Sequence, residues 1–235
     1  MFSYNIVCTS IGRETLPRLI DSFINQLSEN DFFTIISDIN HDIIMMEGMT
    51  GTKTRHFYNN LLKLPDARYL EVGTWKGSSV CSAMCNNKAK VVCIDNWTQF
   101  GGPRNEFEYN FNKFKGKNDA VFIESDCFTV NKDLLGKSNI YLFDGEHSQK
   151  SHYKALEYFL PCLDDTFIFI IDDWNWPDVR IATDNAINNN KLNILWNKEI
   201  RLTNNDMHTH ETPDGFQIAS NTWWNGISVF VLQKS

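Results

Sequence analysis

Short β-rich apolar runs alternate with stretches of helical periodicity along most of this chain, and few folds satisfy that order. A strand that returns to its sheet through a helix comes back parallel. The alternation therefore predicts an α/β protein: a Rossmann-like, doubly wound, mostly parallel seven-stranded sheet with helices on both faces. Its candidate strands are Tyr69–Val72, Lys90–Ile94, Ala120–Glu124, Ile140–Phe143, Phe167–Ile171, Leu192–Trp196 and Ile227–Leu232. Apolar residues at helical spacing mark Leu16–Leu27, Arg55–Leu64, Ser78–Cys85, Glu106–Phe114, His152–Leu160 and Val179–Asn188. Two further strand-like runs, Tyr4–Thr9 and Phe33–Ser37, flank the first helix. Gly48–Thr54 breaks all periodicity and divides the chain into a strand–helix–strand appendage over residues 1–47 and a main unit over 54–235. The appendage is too small to be stable alone and is expected to pack on the main unit.

Charge and composition narrow the partners. Lys plus Arg is 22 against 29 for Asp plus Glu, a net charge of −7, where a nucleic-acid surface would show a basic excess. Lys113, Lys115 and Lys117 read as a solvated helix end. Hydrophobic residues at 42% suffice for a sizeable core. The densest apolar run, Phe167–Ile171, is of strand length, far short of the roughly 20 residues that span a bilayer. The opening Met-Phe-Ser-Tyr-Asn lacks the basic and apolar regions of a secretory leader. Cys8, Cys81, Cys85, Cys93, Cys127 and Cys162 sit in apolar surroundings, as reduced core thiols do. The expectation is a cytoplasmic protein without nucleic-acid or membrane partners, with a homo-oligomer left open.

In an open parallel sheet, ligands sit outside the carboxyl ends of the strands, so the residues closing each strand carry the chemistry. The first strand of the main unit runs into Glu71-Val-Gly73-Thr-Trp-Lys-Gly77-Ser78-Ser79, a glycine turn that lets a ligand approach the backbone. A dinucleotide would want a third glycine and would be repelled by Glu71, whereas a cationic ammonium or sulfonium suits that acid. S-adenosylmethionine is favoured over NAD. The second strand ends at Asp95, placed to accept from both hydroxyls of a ribose, and the third at Asp126-Cys127, where Asp126 can accept from an adenine amino group. Each acid alone would read as a solvated loop residue; three successive strands ending in Glu71, Asp95 and Asp126 form a specific set.

The fourth strand ends Asp144-Gly145-Glu146-His147 and the fifth Asp172-Asp173-Trp174. Asp144, Asp172 and Asp173 should converge, and carboxylates that close repel unless neutralised. A divalent cation such as Mg²⁺ would resolve this and lower the pKa of an acceptor hydroxyl. His147 is the preferred general base, with Glu146 as its alternate. The same tetrapeptide lacks the Asn/Asp-Pro-Pro-Tyr/Phe form with which nucleic-acid amino-methyltransferases grip an amino group.

Residues 54–235 resemble a class I S-adenosylmethionine-dependent methyltransferase. Glu-Val-Gly-Thr-Trp-Lys-Gly-Ser-Ser, Phe-Asp-Gly-Glu-His-Ser and Ile-Asp-Asp-Trp are similar to the macrocin-type, metal-dependent sugar O-methyltransferases. That resemblance implies that Glu71, Gly73 and Gly77, with Ser78 beside them, hold the methionine end. It places Asp95 at the ribose, Asp126 and Cys127 at the adenine edge and Trp97 over the adenine face. Asp144 would lie between cofactor and metal, and the acceptor would be a small molecule of carbohydrate type. The chain departs from the family's usual Asp-Gly-Asp at Glu146, and from the lysine of related catechol-type enzymes at His147.

Weaker signals remain. Asn5–Pro17 through Ile36-Ser37-Asp38 resembles the opening of a family-2-type glycosyltransferase, too short for that activity but in keeping with a carbohydrate setting. His208-x-His210 with Glu211 lies in a polar run read as a loop or substrate lid. Trp174, Trp176, Trp223 and Trp224 read as core or as sugar-stacking indoles, and Gly101-Gly-Pro103-Arg104 as a mobile turn near the cofactor. The alternative to an enzyme is a nucleoside-binding scaffold that kept the fold. Hydroxylation would want a His-His-carboxylate iron triad, which these strands do not offer.

Overall fold

The computed structural model describes residues 15–29, 37–208 and 222–235. The Tyr4–Thr9 run, most of Phe33–Ser37, and His210 with Glu211 lie outside the described residues, as does most of the glycosyltransferase-like opening.

Each of the seven candidate strands of the main unit forms. They are β1 (Arg68–Val72), β2 (Lys90–Asp95), β3 (Asp119–Glu124), β4 (Ser138–Phe143), β5 (Leu163–Asp172), β6 (Asn193–Ile200) and β7 (Ile227–Gln233). They pair in the order β3-β2-β1-β4-β5-β7-β6, giving one seven-stranded sheet. β1 to β5 run parallel, while β7 inserts antiparallel between β5 and β6. The helices are α1 (Thr15–Glu29), α2 (His41–Ile44), α3 (Thr52–Leu61), α4 (Ser78–Met84), α5 (Arg104–Phe114), α6 (Gln149–Phe159) and α7 (Pro177–Asn189). Among the described residues no helix is long and apolar enough to cross a membrane.

Strand alternation builds two apolar layers. Tyr69, Val91, Cys93, Leu142 and Ile170 face the side of α3, α4 and α5, where α1 adds Ile20, Ile24 and Leu27. Leu70, Val72, Phe143, Phe169 and Ile171 face the opposite layer with α6 and α7. Cys81, Cys85, Cys93 and Cys162 are buried free thiols, and Cys127 is half-buried. The α2 turn has no counterpart in the sequence pattern because four residues are too few to show a period. Its start is fixed locally, by the Asn40 side chain accepting from the amide of Ile43 at 3.0 Å.

Register aligns the carboxyl ends. Val72 lies opposite Ile94 and Phe143, Asp95 opposite Glu124, and Phe143 opposite Ile171. The chain winds outward from β1 to β3, then restarts at β4 on the other side, so the switch point falls between β1 and β4.

Candidate active site

At that switch point the strand ends open onto a cavity of about 990 Å³. Gly73, Thr74, Ser78 and Ser79 line it from the β1–α4 turn, Asp95 and Trp97 from beyond β2, and Asp126 and Cys127 from beyond β3. Asp144, Glu146, His147, Asp172 and Asp173 line the remainder of the sheet edge. The cavity wall also gathers bulky residues in left-handed backbone conformation: Trp75, Trp97, Phe100, Asp173 and Trp224 have φ between 42° and 59°. Such strain persists only where surrounding structure imposes it, and it concentrates at functional sites.

The glycine turn works differently from the sequence expectation. Gly73 has φ 88°, and a Cβ there would collide with the carbonyl oxygen of Asp144. The close approach that demands glycine is thus to β4's own continuation. Gly77, also at φ 88°, is buried under Phe107 and Cys81 and stands outside the cavity wall. Glu71 stands outside it as well. Strand alternation puts Glu71 on the Tyr69 face, beneath α4, fully buried. Tyr69 Oη and Ser79 Oγ each donate to its carboxyl at 2.6 Å. Burial pushes Glu71 up to about 8 despite those donors, so it is neutral at neutral pH. An acid facing a ligand cation is corrected to a protonated acid one layer back, touching the cavity only through Ser79.

Asp95 reaches the wall, and its oxygens are engaged. Oδ2 accepts from the amides of Thr74 at 2.7 Å and Trp75 at 2.8 Å, and Oδ1 from the amide of Trp97 at 2.8 Å. It fixes the β1–α4 turn and the turn that follows β2. Trp97 lines the cavity with its ring 4.8 Å from that of Phe122 and 5.5 Å from that of Phe107. Asp126 is exposed on the wall and accepts from the amide of Phe128 at 2.8 Å. Burial raises Cys127 to about 12, which leaves it an uncharged thiol.

Beyond β4 and β5 the acids converge as expected, with a fourth member. His147 Nε2 lies 2.8 Å from Asp173 Oδ2 and 3.5 Å from Asp144 Oδ1. The short contact lacks the alignment of a hydrogen bond, so it is an ion pair held by charge. Burial opposes a charged imidazole, but Asp173 and Asp144 outweigh it and raise His147 well above its ordinary value. Burial also pushes Asp173 up, yet His147 and an Asn225 amide at 2.8 Å hold it below the usual carboxylate range. Burial raises Asp144 to about 6, and it raises Asp172 further, aided by the charges of Asp144 and Asp173. Asp172 Oδ1 is buried without a hydrogen-bond partner. With those two acids facing it, His147 holds its proton more firmly than an ordinary imidazole does. Glu146 lines the wall with its carboxylate engaged, accepting from the amide of Ser148 at 3.0 Å and from its hydroxyl at 2.6 Å at the start of α6.

Several wall residues escape sequence reasoning. Met49 and Thr50 come from the run that only breaks periodicity, and Asn205 and Met207 from the polar run after β6. His208 lines the cavity with its ring 5.7 Å from Trp176 and 6.2 Å from Trp224, both wall residues. Trp174 and Trp223 are core. Of the Gly101–Arg104 turn, the preceding Gln99 and Phe100 line the cavity.

Comparison with known proteins places this geometry. Residues 70–174 match the family model described as a methyltransferase domain, a span running from β1 to just past β5. A search of curated proteins gives no match. Among solved structures, the SAH-bound methyltransferase PaMTH1 of Podospora anserina aligns with TM-score 0.56 at 10% identity, covering 93% of this chain and 88% of that one. The O-methyltransferase of Bacillus cereus in complex with SAH aligns with TM-score 0.52 at 8% identity, covering 92% and 91%. TrmN of Thermus thermophilus aligns with TM-score 0.50 at 13% identity over 77% of this chain, which spans only 49% of that protein. At these identities the likeness shows the fold. Within the matched span lie the β1–α4 turn, Asp95, Asp126, Asp144 and His147, and Asp172 with Asp173, whereas Thr50, His208 and Trp224 are supplied from outside it.

Proposed function

We propose that this protein transfers the methyl group of S-adenosylmethionine to a hydroxyl of a small, carbohydrate-type molecule, with a divalent cation assisting. The observation that carries the reading is the juxtaposition, in one cavity, of a nucleoside-shaped half and an acid–imidazole half. The β1–α4 turn, Asp95, Trp97 and Asp126 line the first; Asp144, His147, Asp172 and Asp173 line the second. SAH-bound methyltransferases of the same fold support the choice of cofactor. The rings of Trp176, His208 and Trp224 give the acceptor side flat apolar faces of the kind on which sugar C–H groups stack.

The residues present fit a divalent cation. Asp144, His147 and Asp173 each offer a ligand atom within 4.8 Å of the others, and the unpartnered Oδ1 of Asp172 is a buried acceptor awaiting a positive charge. Asp144, Asp172 and Asp173 would hold the ion, which supplies polarisation of an acceptor hydroxyl and lowers its pKa. His147 keeps its proton because two acids face it. With those acids shared by a cation, the imidazole returns toward its ordinary value of about 6.5 and can accept the hydroxyl proton. Trp97, Trp176 and Trp224 supply the aromatic part of the wall, and Asp95 keeps the two turns in place.

The test is transfer of labelled methyl from S-adenosylmethionine to a panel of sugars and glycosides, with Mg²⁺ or with chelator. Labelled product that disappears with chelator and with Asp172→Asn supports the whole reading. Product indifferent to both removes the metal. Cofactor binding without transfer to any acceptor returns the weight to a nucleoside-binding scaffold.

A further inference from the structure

Asn175 and Asn225 are both fully buried, one just beyond the end of β5 and the other just before β7. Their backbones meet: the Asn175 amide donates to the Asn225 carbonyl at 3.1 Å, and the Trp174 amide to the Gly226 carbonyl at 3.2 Å. Their side chains form a line with one direction. The Leu202 amide donates to Asn175 Oδ1, Asn175 Nδ2 to Asn225 Oδ1, and Asn225 Nδ2 to Asp173 Oδ1, each at 2.8 Å. Each carboxamide accepts once and donates once along this line, so the three bonds fix one another's polarity. The packing around it is tight. A Cβ on Gly226, at φ 84°, would collide with the carbonyl of Ile200 and press on Asn175 Oδ1.

Leu202 lies where the chain leaves β6, and Asn205, Met207 and His208 of the irregular segment that follows line the cavity. An outer clasp holds the same segment. Asp206 accepts from Arg180 Nη2 at 2.7 Å and from Arg201 Nη2 at 2.6 Å. Arg180 Nη1 in turn donates to the carbonyls of Trp174 at 2.9 Å and Asn175 at 2.6 Å. Both ties therefore run to the chain just beyond β5, and the inner one ends on an acid of the charged half of the cavity.

We propose that Asn175, seconded by the Arg180–Asp206 clasp, is a positioning residue for the acceptor: it ties residues 202–208 to Asp173, so that Met207 and His208 meet an acceptor in register with the acids. The proposal rests on the reading of this half as the acceptor side and deepens it. An acceptor must touch wall and acids at once. A wall that drifts from Asp173 binds it more weakly, while the cofactor half, none of whose residues the relay includes, is left as it was.

The test uses the full chain, labelled S-adenosylmethionine and the sugar or glycoside of the panel above that takes up label best. Asn175→Ala is expected to raise the KM for that acceptor about tenfold, the worth of one buried hydrogen bond, with kcat within about threefold. S-adenosylhomocysteine affinity should stay within about twofold by calorimetry. Asn225→Ala cuts the same line one bond further on. The double variant is expected to lose no more than the worse single one, because two cuts in one relay count once. Asp206→Asn opens only the exposed clasp and is expected to raise the same KM about threefold; it decides the matter if the buried variants do not fold. An unchanged acceptor KM overturns the proposal, as do losses that multiply in the double variant or a matching loss of S-adenosylhomocysteine affinity. If the wild-type chain labels no acceptor, the function reading fails and takes this inference with it; if it labels one and the variants behave as wild type, only this inference falls.

Discussion

The two halves of the cavity use the same residue type to opposite ends. On the β1–β3 side the acids are satisfied before any ligand arrives. Asp95 is held by three backbone amides, and Glu71 by Tyr69 and Ser79. On the β4–β5 side the acids crowd together: Asp144 and Asp173 share the positive charge of His147, and Asp172 Oδ1 has no hydrogen-bond partner. A satisfied carboxylate shapes a rigid wall, whereas a crowded one is poised to take a cation. The first half is accordingly built for shape and the second for charge.

The comparison breaks most readily at Asp95. Asp95→Ala strands three amides and releases both turns, and unpartnered buried donors cost about 1–3 kcal/mol each. S-adenosylhomocysteine affinity should fall at least about a hundredfold, by calorimetry. An unchanged affinity would mean that the first half is not organised by this acid. The opposite signature is expected across the cavity. Asp172→Asn removes a carboxyl that burial and its neighbours already keep from ionising, so thermal stability should hold or rise. The same variant should abolish Mg²⁺ binding in titration calorimetry while cofactor affinity stays within a few-fold. Loss of cofactor affinity in Asp172→Asn would erase the distinction between the halves.

A smaller effect concerns pH. Burial raises Glu71 from an unfolded value near 4.5 to about 8, so over that window the folded chain holds a proton that the unfolded chain has released. Its contribution to stability is full below the unfolded value and is lost as pH rises towards 8. Glu71→Gln removes this proton linkage and should flatten the pH dependence of chemical denaturation between about pH 5 and 8, by an amount of the order of a few kcal/mol at most. An unaltered slope would show Glu71 to be ionised in the fold.

Much of this arrangement is legible in the sequence, and what is not has identifiable causes. The strands are visible because runs such as Phe167–Ile171 have strand length and composition, and the acids that close them mark the working edge of the sheet. Where β7 inserts is not visible, since pairing with β5 and β6 is a long-range choice that local pattern does not encode. That Glu71 lies behind the wall follows from strand alternation only once the helix covering that face is known. The charge of His147 depends on two acids from different strand ends, Asp144 and Asp173, whose 3.5 Å and 2.8 Å separations no spacing rule supplies. Thr50 sits in a run that merely interrupts periodicity, and its place on the wall depends on the buried Arg55, whose burial no local pattern shows.

The most direct test of the account is thermal unfolding of the full chain with S-adenosylmethionine, S-adenosylhomocysteine or NAD, each with and without Mg²⁺. A ligand that binds only the folded state raises the midpoint by mass action. At about a hundredfold excess over Kd this amounts to about 2.7 kcal/mol, or a shift of roughly 5–10 °C for a chain of this size. The account predicts that shift with both sulfur ligands and none with NAD. No shift at saturating S-adenosylmethionine and S-adenosylhomocysteine, or an equal shift with NAD, would contradict it.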